Sequence, residues 1–223
     1  MRLRRKGNPE DDGTDGGVED ASEAAAVPAG PIDVQDLDRD ATYIDLGSML
    51  MPPPGDGLDL RLQVDEESGE ILAVLVVAEE GVLEVRAFAS ARGGDLWAEA
   101  LQEISADTIG HGGTATEQEG PFGTELYCEV PVESPEGEQF VQPSRLVGCT
   151  GPRWFLRAAL AGRPAIDPEY AAQFEDVIRS IAVRRGATAM APGEPLPLQM
   201  PPEAQAAEGL QTGPEASGPS DAE

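Results

Sequence analysis

Hydrophobic positions in this chain follow two periods, and the places where one gives way to the other divide it into elements. YIDLGSMLMPPPGDG (43–57) opens with a short apolar run that three prolines stop, since each fixes φ and lacks an N–H for any ladder. In LDLRLQV (58–64), Leu58, Leu60, Leu62 and Val64 alternate with Asp59, Arg61 and Gln63, the period of a strand with one buried face. EILAVLVVA (70–78) is apolar on both faces, which predicts a central strand, and VLEVRAFAS (82–90) alternates again. From Asp95 the period lengthens to three and four residues through Leu96, Trp97, Ala100, Leu101, Ile104 and Thr108. That predicts a helix capped by Asp95 and ended by GHGG (110–113).

Strands return at TELYCEVPV (124–132), RLVGCTG (145–151) and RWFLRAALA (153–161), with SPEGE as an acidic turn. A second helix follows. Asp167 is placed to N-cap it, Pro168 stands at its first position, and Tyr170, Phe174, Val177, Ile178 and Ile181 form an apolar stripe suited to lie on a sheet. AVRRG offers a short closing strand. The order βββαβββα predicts an α+β fold, a mostly antiparallel sheet of six or seven strands covered by two helices. Trp97, Trp154, Phe174 and Ile178 are expected to share one core beneath those helices. The expected divisions are a disordered acidic tail over 1–40, one domain over 41–186, a Pro-rich extended segment over 187–202 packed on or leaving it, and a disordered acidic tail over 203–223.

Charge narrows the chemistry. With 42 acids against 15 bases the net charge is −27, which repels nucleic acid and anionic lipid unless a local basic patch overrides it. No apolar run is long enough to cross a membrane, and MRLRRKG is followed by no apolar leader segment, so a cytoplasmic protein without membrane insertion is expected. Two cysteines, Cys128 and Cys149, make no disulfide framework and read as core thiols on neighbouring strands. The single histidine, His111, lies in a Gly-rich turn without an evident orienting partner. The paired carboxylates Glu66/Glu67, Glu79/Glu80 and Glu117/Glu119 are expected to be solvated in turns. No common hydrolase, nucleotide or metal motif occurs. The sequence thus points away from an enzyme and from any cofactor or metal, and toward a binding or adaptor domain with a protein partner.

One segment departs from the acidic background: residues 141–186 carry seven bases against four acids. If 153–161 is a strand, Arg153, Phe155, Arg157 and Ala159 face one way and Trp154, Leu156, Ala158 and Leu160 the other. Arg145, Arg153, Phe155, Arg157 and Arg163 are therefore the candidate contacts for a partner or a small anion. The same arginines could instead pair internally with Glu125, Glu129 or other strand carboxylates. A flat arginine face favours a protein partner, and convergent polar groups in a pocket favour the alternative, a binder or enzyme for a small anionic ligand. Arg184 and Arg185 alone are too few for nucleic-acid contact.

IDLGSMLMPPPGDGLDLRLQV, AFASARGGDLWAEA and GPRWFLRAALAG, followed by EPLPLQMP, resemble an uncharacterised actinobacterial family, domain of unknown function 3710, over about residues 43–202. The resemblance implies a cytosolic actinobacterial protein and supplies no activity. In element order the chain is also similar to Mog1/PsbP-like domains, which bind partners.

Overall fold

The computed structural model describes residues 30–38, 40–134 and 137–201. Its elements run β1 (Ile32–Asp33), a short 3-10 turn, β2 (Ile44–Asp45), β3 (Met49–Met51), β4 (Asp59–Val64), β5 (Ile71–Ala78) and β6 (Gly81–Ala89), then α1 (Leu96–Gly110). There follow β7 (Thr114–Gly120), β8 (Gly123–Glu133), β9 (Gln139–Gly151), β10 (Trp154–Gly162), α2 (Arg163–Ile166), α3 (Pro168–Ser180) and β11 (Ala182–Val183). Seven strands form one antiparallel sheet in the order β4-β5-β6-β10-β9-β8-β7. The α+β class and the seven-stranded antiparallel sheet agree with the expectation from periodicity.

Both long helices start where their caps require. Asp95 accepts from the Ala98 N–H, and Asp167 accepts from the N–H groups of Glu169 and Tyr170, with Pro168 at the first position. Each cap satisfies donors that the first turn leaves unpaired.

The helices lie on opposite faces of the sheet, so the single core expected to hold Trp97, Trp154, Phe174 and Ile178 is two cores. Trp154, Phe174 and Ile178 share the larger one with Val85, Leu156 and Leu160. Trp97 belongs to the smaller, beneath α1, with Leu101, Leu126, Cys128, Leu146 and Phe155. The physical reason is alternation: Trp154 and Phe155 are neighbours on β10 and must point to opposite sides. Gly148 on β9 makes room for α1, since a Cβ there would lie 2.2 Å from the Trp97 ring.

Two features depart from the sequence reading. The structured region begins before residue 41: Ile32 and Asp33 pair in parallel with Ala182 and Val183, in a second sheet of order β1-β11-β3-β2. Strand β7, TATEQEG, has no apolar alternation because it is an edge with most positions exposed. Glu117 and Glu119 therefore stand on a strand, not in a turn, and Glu119 accepts from the Thr124 hydroxyl at 2.9 Å. The segment after residue 187 packs on the domain, where Leu198 bridges Gly47, Pro195 bridges Phe88 and Leu196 is buried. The tails expected over most of 1–40 and over 203–223 lie outside the described residues.

Candidate functional site: an arginine-lined pocket

Three turns, each carrying arginine beside glycine, meet at one end of the sheet. The first joins β6 to α1 and contains Arg92 and Gly93; the second joins β9 to β10 through Pro152 and Arg153; the third follows β11 with Arg184, Arg185 and Gly186. Main-chain and side-chain bonds tie them together. The Ser90 N–H donates to the Arg153 carbonyl at 2.9 Å, and Arg153 Nη2 donates to the Gly186 carbonyl at 3.4 Å. Between them lies an open pocket of about 840 Å³ lined by all four arginines, with Asp33, Val34 and Gln35 entering from β1 and the turn after it.

The backbone of the middle turn is unusual. Arg153 has φ +87°, and among the described residues it is the non-glycine with positive φ. Pro152 at the second position and the left-handed Arg153 at the third match a type II turn, whose third position normally takes Gly. An arginine there holds the main chain in a region that costs an L-residue roughly 1–2 kcal/mol. Gly151 is also constrained, because a Cβ would lie 2.0 Å from the Trp154 ring stacked beneath it. Trp154 itself is buried and donates from Nε1 to Asp33 Oδ2 at 3.0 Å, anchoring the pocket floor.

The four guanidiniums differ in their partners. Arg184 is matched: Nη1 and Nη2 donate to the two Asp45 oxygens at 3.0 and 3.1 Å, and Nη1 also donates to the Gly47 carbonyl at 2.6 Å. The side-chain bond from Arg184 is the main reason the Asp45 carboxyl titrates below its ordinary range. Among the described residues, the Arg185 side chain donates only to the Thr188 carbonyl, at 3.0 Å, and its buried Nε has no partner. The Arg153 side chain has only the Gly186 carbonyl among them. Arg92 makes no side-chain hydrogen bond or ion pair with any described residue. Asp33 is 8 % exposed, and its oxygens are taken by the Gln35 N–H and by Trp154. Four arginines against Asp33 and Asp45 leave a local surplus of two positive charges within a chain of net charge −27.

Of the five residues singled out from sequence, only Arg153 reaches this pocket. Arg145 is buried and faces α3: Nε donates to Glu125 Oε2 at 2.5 Å, and Nη2 lies 2.8 Å from Glu175 Oε1. Burial opposes its charge, but the bonds to Glu125 and then Glu175 prevail and hold its pKa above the ordinary arginine value. It is the internal counter-charge to Glu125 that one reading of the sequence allowed. Phe155 was expected outward between two arginines, yet it is 3 % exposed under α1, stacked at 6.0 Å on Trp97. An aromatic on a sheet face gains more from a helix above it than from water. Arg157 is half-buried on that same face, 5.7 Å from the Phe88 ring centroid and 3.7 Å from Glu84. Arg163 pairs with Glu80 at 2.5 Å and Asp167 at 2.9 Å. It also lies ten residues from Arg153, about 30 Å along an extended strand. The five do not form one face.

Sequence reasoning missed Arg92 and gave Arg184 and Arg185 no shared role. The available signal was the recurrence of arginine beside turn-forming glycine in ARGG, GPR and RRG, for Gly93 (φ +70°) and Gly186 (φ +68°) both adopt the left-handed region. His111 sits at the end of α1, bound to the Asp107 carbonyl, and no group of three or more His, Cys, Asp or Glu among the described residues is arranged to hold a metal. Burial, aided by Glu125, pushes the Cys149 thiol up to about 12. No helix among the described residues is long and apolar enough to cross a membrane. A family profile described as "Protein of unknown function (DUF3710)" matches residues 30–207. No curated protein matches the chain.

Proposed function

Since the chain belongs to the DUF3710 family, whose description carries no activity, we propose from the site itself that it is a non-catalytic binding domain that captures a partner through an anionic group seated among Arg92, Arg153 and Arg185. One observation carries this reading: three arginines whose guanidiniums have no carboxylate partner among the described residues line one open pocket of an acidic protein. Guanidinium donors suit carboxylate and phosphate oxygens, and the strained backbone at Arg153 supports a role for that side chain beyond folding. Among the described residues the pocket wall contributes no His, Cys or Ser, and its one carboxylate is already doubly bonded. That favours capture over catalysis, because no general base or nucleophile among those residues faces the space.

The test is equilibrium binding of short acidic peptides, unmodified and phosphorylated, followed by fluorescence polarisation. Replacing both Arg92 and Arg153 with Ser is expected to weaken binding at least tenfold while leaving the melting temperature within a degree or two. Binding that survives this double variant, or that falls equally in Arg61→Ser on the far edge strand, contradicts the reading.

A further inference from the structure

Resting on that reading, we infer that the group taken by the pocket is a phosphate monoester in its dianionic form. The charge balance points there first. Arg184 is already neutralised by Asp45, and Asp33 is committed to Trp154 and Gln35, so the remaining surplus is two positive charges. A phosphate monoester near neutral pH brings about −1.5 to −2 and three strong acceptor oxygens, whereas a carboxylate brings one charge and two oxygens in a plane.

Geometry points the same way. Arg92, Arg153 and Arg185 arise from three separate turns and line one pocket. Such an arrangement fits a tetrahedral group with three terminal oxygens better than a planar fork, which one arginine alone can satisfy. Their donor capacity is largely uncommitted: one long bond to Gly186 from Arg153, one bond to Thr188 and a buried, partnerless Nε on Arg185, and no partner for Arg92 among the described residues. The 840 Å³ of open space also exceeds what a phosphate fills. The surplus volume accommodates the body that carries the ester, and no aromatic ring lines it for a nucleobase to stack on.

The experiment is isothermal titration of the full chain with four probes: a phosphoserine peptide with neutral flanks, the same peptide with Glu in place of phosphoserine, the unmodified Ser peptide, and adenosine monophosphate. The phosphoserine peptide is expected to bind at least tenfold more tightly than the Glu peptide, and Arg92→Ser is expected to abolish that preference without changing the melting temperature. Affinity for it is also expected to fall about fourfold from pH 7.5 to 5.5, as the phosphate with its second pKa near 6 loses its dianion. The groups facing it are the four arginines with Asp33 and, behind Arg184, Asp45; no histidine among the described residues lines the pocket, so this loss belongs to the ligand. Binding of adenosine monophosphate as tight as that of the phosphoserine peptide supports the monoester chemistry and identifies a small-molecule source. Equal binding of the Glu and phosphoserine peptides overturns the phosphate assignment and leaves the anion-binding function standing. No binding of any probe, or binding indifferent to Arg92, overturns both.

Discussion

Replacing Arg145 with Met removes the cation from a buried cluster and leaves its carboxylates behind. Glu125 is 1 % exposed and receives two bonds from Arg145, at 2.5 and 3.2 Å; its other donor is the Phe122 N–H at 3.4 Å. Glu175 fares better, because Arg179 still reaches it at 3.1 Å. The orphan is therefore Glu125, and breaking a buried pair by deleting one partner costs about 3–5 kcal/mol. For a domain of this size, with each kcal/mol moving the midpoint by about 2–4 °C, the melting temperature should drop by about 6–20 °C. Urea unfolding followed by circular dichroism at pH 7, on Arg145→Met and on Arg145→Met with Glu125→Gln, measures this. The double variant should recover part of the loss. A deficit below about 1 kcal/mol, typical of an exposed pair, refutes the claim that this cluster fastens α3 to the sheet.

Arg153→Gly and Arg153→Ala both remove the guanidinium, but only Gly relieves the left-handed backbone at φ +87°. The Gly variant should be the more stable of the two by about 0.5–1 kcal/mol in chemical denaturation, and equal stability would argue that no strain is stored there. Ile178→Ala, at a site with 0 % exposure between α3 and the sheet, should cost about 2–5 kcal/mol; a loss under 1 kcal/mol would place the α3 stripe in water. Cys149, its thiol pushed up to about 12 chiefly by burial, should resist iodoacetamide in the native protein at pH 8 and react once urea unfolds the chain. Rapid native labelling would contradict the raised pKa of this half-buried thiol.

The sheet and long helices were legible because their side chains obey one period over six or more residues. LDLRLQV alternates cleanly, and the Asp167-Pro168 start of α3 is a local signal that needs no tertiary information. What escaped was set by contacts distant in sequence. Strands β1, β2 and β3 have two or three residues each, too few to show a period, and β1 exists because residues 32–33 and 182–183 find one another across most of the chain. The pocket escaped for the same reason. Arg92, Arg153 and Arg185 are spread over more than ninety residues, and clustering along the sequence drew attention instead to Arg145, Arg157 and Arg163. Alternation sorted those residues to different faces, and each found a carboxylate there.

The central claim is that Arg92, Arg153 and Arg185 form one anion site, and an amide and guanidinium NMR titration of the protein with inorganic phosphate tests it most directly. Saturable shifts confined to Arg92, Gly93, Arg153, Arg185 and Gly186, absent in Arg92→Ser, are the predicted result. Shifts that do not saturate, or that appear equally at Arg61 and Arg163, would contradict it.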